Sequence, residues 1–326
     1  MENNDGIKVS KYYAKELFNR AKLGVAESII EMPKYDPNYS FLIKAEGKKY
    51  FLRVFSLSER KMAYEKFLYN NEVDIYKLLS ETEGIRTPKV LFSEKDPEGN
   101  YTHYISEGYD IPYQKAAIPT IKDRRKLMFQ AGADLAKSHL ISGSGFGYEK
   151  MGLESKWGTA FKKIVDKIIA DALLKNIEVD SVRIYKIIER AMPILNKVES
   201  HLVHLSLNKM KIFVSKNFVN FQGLAGWESS IWGDIAGDFV SFGGPFPLQS
   251  SKYFLRGYRT INPVEMDEEF RIRVNIMKMY KSLLMLVEPV YGIQDSSPKY
   301  NAFRSKARKI LTKSLDDLED PFPSKD

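Results

Sequence analysis

The sequence predicts an α+β protein of two lobes, with a β-rich N-terminal lobe over residues 1–110 and a mostly helical C-terminal lobe over residues 111–326. Three observations carry this expectation. Short apolar runs separated by turn residues crowd the first 110 positions, which is how strands read. From Ile121 onward, apolar residues recur every three or four positions in long segments, which is the period of helices. A chain of 326 residues with 44% hydrophobic and 13% aromatic side chains also has the apolar surface to fill cores of this size.

Taken in order, "SKYYAKELFNRAKLG" reads as a helix, with Ser10 placed to cap its start and Gly24 to end it. Strands follow at "ESIIEM", "YSFLIKA" and "KKYFLRVF". The last two are separated by "EGK", a hairpin signal because Gly47 takes positive φ without strain. The helical spacing of "SERKMAYEKFLYNNEVDIYKLLSE", behind a capping Ser58, predicts a long helix. "TPKVLFSE" and "YTHYISEGY" read as two more strands divided by the turn "KDPEGN". Helices are then expected at "IKDRRKLMFQAGADLAKSHLI", "WGTAFKKIVDKIIADALLK", "VRIYKIIERAMPILNKVES", "EEFRIRVNIMKMYKSLLMLV" and "NAFRSKARKILTKSLDDL". Only "MKIFV" and "FQGLAGWE" interrupt them as short strands, and the terminal "EDPFPSKD" reads as a frayed end.

Composition narrows the function classes. Fifty Lys and Arg against 42 Asp and Glu leave a formal charge of +8, modest for the length and spread along the chain. Nucleic acid as a partner is permitted by that balance but not indicated. The absence of cysteine rules out disulfides and thiolate metal sites and fits a reducing compartment. The start "MENNDGIKVS" has no apolar signal core and no run approaches a membrane span, so a cytoplasmic protein without a membrane partner is expected.

Four segments, in order, carry a resemblance. "LAKSHLISGSGFGY" is similar to a helix ending in Leu-His followed by Gly-Phe-Gly. "HLSLNKMKIFV", His204 to Val214, lies on a His-Gly-Asp-Leu pattern running through an Asn into an apolar strand. "AGWE" matches an Ile-Asp-Trp-Glu segment, and "GDIAGDFV" matches Gly-Asp-Pro followed by Asp-Leu-Ala. Together they resemble the aminoglycoside phosphotransferase and choline kinase superfamily over nearly the whole chain. The resemblance implies a two-lobed protein-kinase-like fold.

It also implies a chemistry this chain is poorly equipped to perform. In such enzymes a carboxylate orients the acceptor hydroxyl and takes its proton, while an Asn and a second Asp hold magnesium on the nucleotide phosphates. Those positions here are Ser206, Lys211 and Gly226. A serine hydroxyl stays protonated near neutrality, a protonated lysine repels a metal ion, and glycine offers no side-chain oxygen. Loss of the base alone costs on the order of 10²- to 10⁴-fold in rate. No Asp or Glu occurs between Ser200 and Gly226 to substitute for it. The turn "MPKYDPNYS", where family members place a glycine-rich phosphate loop, has two prolines and no glycine.

Other features implied by the resemblance survive. Arg53 stands at the phosphate-contacting Lys or Arg, Glu72 at its helix partner, and His204 and Asp238 at the residues that brace the catalytic loop. Arg53 and Glu72 are therefore the candidate nucleotide-site ion pair. Asp234 and Glu228 lie near the missing metal ligand, but nothing in their spacing puts them on one face, and no metal ligand set is assigned. His139 reads as a satisfied core or packing residue and the tryptophans Trp157, Trp227 and Trp232 as packing residues, and "GSGFG" follows a helix instead of a strand, which makes it a weak phosphate-loop signal. The expected function is that of a pseudokinase whose inter-lobe cleft binds a small-molecule ligand or a protein partner. The alternative is an active phosphotransferase on a small hydroxyl- or amine-bearing substrate, with Lys211 contacting phosphate directly. Only that alternative calls for ATP and magnesium as cofactors.

Overall fold

The computed structural model describes residues 9–32, 38–56, 62, 63, 65, 68–95, 101–240, 252–292 and 298–319. Residues 33–37 of the glycine-free turn, the predicted cap Ser58, most of the "KDPEGN" turn and the final residues lie outside them.

The first helix, α1 (Lys11–Arg20), is capped by Ser10, whose hydroxyl accepts the Tyr13 amide at 3.3 Å. It ends before Gly24: Ala21 closes the helix and Lys22 turns left-handed at φ 54, so the chain leaves the helical path ahead of the glycine. Strands β1 (Ser28–Glu31), β2 (Tyr39–Ala45) and β3 (Lys48–Ser56) follow. The β2–β3 turn carries Glu46 at φ 50 and Gly47 at φ 72, the double positive φ that suits a right-twisted hairpin. After α2 (Leu68–Glu81) come β4 (Val90–Lys95) and β5 (Tyr101–Glu107). The five strands form one antiparallel sheet in the order β1-β2-β3-β5-β4.

Strand alternation divides the work of the sheet's two faces. Phe41, Ile43, Leu52, Val54 and Ile105 point one way and form a core with Ala14, Leu17 and Phe18 of α1. Arg53 and Phe55 point the other way, and Tyr104 stands opposite Arg53 in the β3–β5 register. That second face meets α2 and opens toward the rest of the chain.

The remainder is mostly helical, with α3 (Ile121–Ser138), α4 (Trp157–Leu174), α5 (Ser181–Leu195), α6 (Lys252–Arg259), α7 (Glu268–Gly292) and α8 (Pro298–Asp316). Five short strands interrupt the helices where the sequence suggested two: β6 (Ile111–Pro112), β7 (His201–Val203), β8 (Ile212–Val214), β9 (Phe221–Leu224) and β10 (Ile231–Gly233). They build a β6-β8-β9 sheet and a β7-β10 pair. Helix α6, also absent from the sequence reading, packs against α3 with almost no space between the backbones. A Cβ at Gly132 would lie 2.1 Å from the Phe254 carbonyl oxygen, and one at Gly257 would lie 1.9 Å from that of Phe129. Only glycine at both positions permits this approach. Among the described residues no helix is long and apolar enough to cross a membrane.

Candidate functional site

The loop between β7 and β8 is held from beneath by one carboxylate. Asp238 accepts the His204 amide on Oδ2 at 2.7 Å and the Leu205 amide on Oδ1 at 2.6 Å. His139 Nε2 donates to the same Oδ2 at 3.0 Å, and its Nδ1 lies 2.6 Å from the Tyr258 hydroxyl. Burial pulls the Asp238 carboxyl upward, but the His139 bond and nearby positive charge leave it below its ordinary value, so it stays ionised. His204 and Asp238, the expected bracing residues, are thus joined through the His204 amide. His139, read from the sequence as a satisfied core or packing residue, is buried and supplies one of the bonds to Asp238.

The brace holds a backbone that the local sequence disfavours. Leu205 occupies the glycine position of the resembled pattern and still adopts φ 63, a left-handed conformation that costs a non-glycine residue about 1–2 kcal/mol. Next to it, His204 donates from Nε2 to the Ala225 carbonyl at 3.2 Å and packs on Trp227 with ring centroids 4.4 Å apart. Burial, reinforced by the Lys211 charge, pushes its pKa down to about 4, so the ring is neutral at neutral pH. Its Nδ1 lone pair lies 3.4 Å from Ser206 Oγ.

Ser206, Lys211 and Gly226, the positions marked by the resemblance, come together in space. The Lys211 ammonium donates to Ser206 Oγ at 2.5 Å, to the Gly226 carbonyl at 2.9 Å and to Glu228 Oε1 at 2.8 Å. All three of its N–H bonds are thereby used. Gly226 sits at φ 77 and donates its amide to the Tyr76 hydroxyl at 2.9 Å. A Cβ on Gly226 would lie 2.9 Å from Lys211 Cδ and Cε and 3.1 Å from its Nζ. The ammonium fills the space into which an acidic side chain at position 226 would project.

The ion pairing continues across the cleft. Glu228 Oε2 lies 3.4 Å from Arg53 Nη1, which in turn donates to Glu72 Oε2 at 3.1 Å. The Arg53–Glu72 pair inferred from the sequence is thus present, but it shares its arginine with Glu228. The two carboxyls respond oppositely. Burial pushes Glu72 up to about 7, partly offset by Arg53. Burial acts on Glu228 in the same sense, but the charges of Lys211 and Arg53 hold it well below the ordinary carboxylate range. Asn71 of α2 closes the lobes further by donating to the Ser230 carbonyl at 2.6 Å.

These residues do not fit a magnesium nucleotide. Among the described residues no group of three or more His, Asp or Glu side chains is arranged to hold a metal ion. Asp238 is spent on the loop and Glu228 on two cations, while Asp234 binds Arg273 and the Ala236 amide through Oδ1 alone, and among the described residues Glu228 and Asp234 belong to no metal-holding group. Arg53 already carries two carboxylates, and Lys211 has no donor left for phosphate. The direct phosphate contact considered for Lys211 thus requires breaking the pairs just described. Ser206 is no better placed as a nucleophile, because a histidine of pKa about 4 at 3.4 Å is a weak base for an alcohol.

The remaining sequence candidates are structural. Trp157 and Trp227 are buried, and Trp232 donates to Glu149 at 3.0 Å. In "GSGFG", Phe146 and Gly147 make backbone bonds to Glu154 and Trp232. What the sequence did not disclose is the bridging position of Glu228 between two cations. Also undisclosed was a cavity of about 220 Å³ beside Ser206, whose wall includes Leu205, Asn208, Tyr280, Lys281, Leu284 and Glu288.

No family model matches this chain, and no curated protein matches it in sequence. Solved structures do match it. A putative fructosamine-3-kinase from Haemophilus somnus 129PT is 16% identical, with a TM-score of 0.69 over 94% of this chain and 100% of that one. A thermostable mutant of aminoglycoside phosphotransferase APH(4)-Ia is 17% identical over 94% and 99% of the two chains, with a TM-score of 0.58. The streptomycin–ATP complex of APH(2")-IIa is 14% identical over 96% of each chain, with a TM-score of 0.60. The chain has the α+β, two-lobed kinase-like fold of the aminoglycoside phosphotransferase type.

Proposed function

We propose that this chain is a pseudokinase, a kinase-fold protein whose cleft binds a small ligand or a partner protein and does not transfer phosphate. The observation that carries the reading is the Lys211 ammonium, bonded to Ser206, Gly226 and Glu228 where a nucleotide-bound metal would need open carboxylates. The replacements accommodate one another: glycine at 226 makes room for the lysine, serine at 206 accepts its hydrogen bond, and Glu228 neutralises it. A set of changes that fit together in this way supports a refashioned site over a damaged one.

A second reading keeps phosphotransfer with rearranged groups. It is favoured by the Arg53–Glu72 pair, which is formed, and by structural neighbours described as kinases and phosphotransferases. One experiment separates the two. Thermal unfolding of the full chain is measured with ATP and with GTP, each with and without magnesium. The pseudokinase reading expects no magnesium-dependent stabilisation. A magnesium-dependent rise, followed by phosphate transfer to any hydroxyl or amine acceptor, would establish the second reading.

A further inference from the structure

Lys281 of α7 is a buried cation that the site described above does not use. Its ammonium donates to the carbonyls of Gly237 at 2.8 Å and Val240 at 2.7 Å, leaving one N–H uncommitted. Among the described residues no carboxylate forms an ion pair with it, and the segment "SFGGPFPLQSS" that follows Val240 contains no acid. A buried ammonium without an ion-paired carboxylate is expensive to maintain. Burial accordingly pulls its pKa down to about 8, although Asp238 acts through space in the opposite sense. Lys281 also lines the 220 Å³ cavity beside Ser206, together with Leu205, Val240, Leu284 and Met285.

We propose that this cavity binds a small organic carboxylate, its charged group accepting the free N–H of Lys281 and its apolar body lying against Leu205, Leu284 and Met285. The inference deepens the reading of the cleft as a ligand site and rests on it. Several features select the ligand class. One buried ammonium without an ion-pair partner among the described residues suits one negative charge, and Glu288 on the same wall disfavours a dianion such as a phosphate monoester. Leu205, Leu207, Val240, Leu284 and Met285 in the lining, beside its polar residues, suit an apolar body. The volume lies below that of drug-sized pockets, which restricts the ligand to a small metabolite.

The test uses the full chain and four probes, phenylacetate, hexanoate, neutral phenylacetamide and inorganic phosphate, followed by saturation-transfer NMR. Both carboxylates are expected to bind, and phenylacetamide to bind roughly tenfold more weakly, the cost of losing one charge-assisted hydrogen bond. Lys281→Met should weaken phenylacetate by a similar factor. Because that variant strands two carbonyls and can unfold, Leu284→Trp serves beside it, filling the cavity while leaving the Lys281 bonds intact, and it should abolish carboxylate binding. The proposal is overturned if neither carboxylate binds, if phenylacetamide or phosphate binds as well as phenylacetate, or if Leu284→Trp binds unchanged. These outcomes are independent of the nucleotide experiment. Magnesium-dependent stabilisation by ATP would remove the non-catalytic reading and leave a positive carboxylate result standing, whereas silent carboxylates with silent ATP would remove this inference alone.

Discussion

Replacing Lys211 by methionine keeps the apolar stem and deletes the ammonium, so it isolates what the charge contributes. The Lys211 and Glu228 side chains are only 19% and 17% exposed, so solvent screens their attraction weakly. Removing one member of a buried pair typically costs about 3–5 kcal/mol. Glu228 retains Arg53 at 3.4 Å in the variant, and Ser206 can turn to the adjacent cavity, so the expected loss at neutral pH is roughly 2–3 kcal/mol. The pH dependence is the sharper test. In the parent protein the folded Glu228 value lies below its ordinary 4.5, so its stabilisation is present above 4.5 and is lost only as pH falls through the lower folded value. Without Lys211 the Glu228 carboxyl takes up its proton at higher pH, which relieves the unbalanced charge. The difference between variant and parent should therefore be full at neutral pH and shrink below 4.5, read from urea unfolding curves at both pH values. A deficit of equal size at both, or none at neutral pH, would refute the assignment of Lys211 as the charge that holds Glu228 ionised.

Gly226→Asp alone should destabilise by about 2 kcal/mol, since its Cβ meets Lys211 and its backbone is left-handed, whereas the same change beside Lys211→Asn should cost at least about 1 kcal/mol less. A double-mutant cycle with additive losses would count against the shared space. Glu72, raised to about 7, contributes stability that is full below 4.5 and lost as pH rises to 7, while His204, lowered to about 4, contributes stability lost as pH falls from 6.5 to 4. Between 4.5 and 6.5 the two slopes oppose each other and the parent should be nearly pH-independent there. Glu72→Gln should expose the histidine slope as a fall of about 2–3 kcal/mol on acidification, and a flat profile in that variant would contradict it. Glu46→Asn places a residue tolerant of positive φ ahead of Gly47 and should raise unfolding stability by roughly 0.5 kcal/mol in the same urea assay, with a loss indicating a different turn.

The order of elements was legible because their periods are long: the β2–β3 hairpin and helices α3, α4, α5 and α7 each repeat one spacing over many residues. Strands β7 and β10 span three residues each, too short for a period to emerge. Helix α6 escaped notice because "KYFLRGYR" places Gly257 where a helix former would be expected, and that glycine makes sense only once α3 lies against it. At the site, Ser206, Lys211 and Gly226 could be located because the family motifs that the chain resembles fix position in the chain. Their interaction could not, because it depends on Glu228 folding back from the next segment and on Arg53 reaching across from β3. The brace shows the same limit. Asp238 was marked by its motif, but His139 and Tyr258 join it from α3 and α6, across 99 and 119 residues of sequence from His139.

The left-handed Leu205 bears on how this protein could be rebuilt. A backbone shape that its own sequence resists must be imposed by neighbours, here the Asp238 carboxylate gripping two successive amides. The shape of the loop is therefore set by Asp238 and not by the side chains at Ser206 and Lys211. For an engineer this separates two problems usually met together: the mould is already cast, and what remains is to choose the side chains set into it.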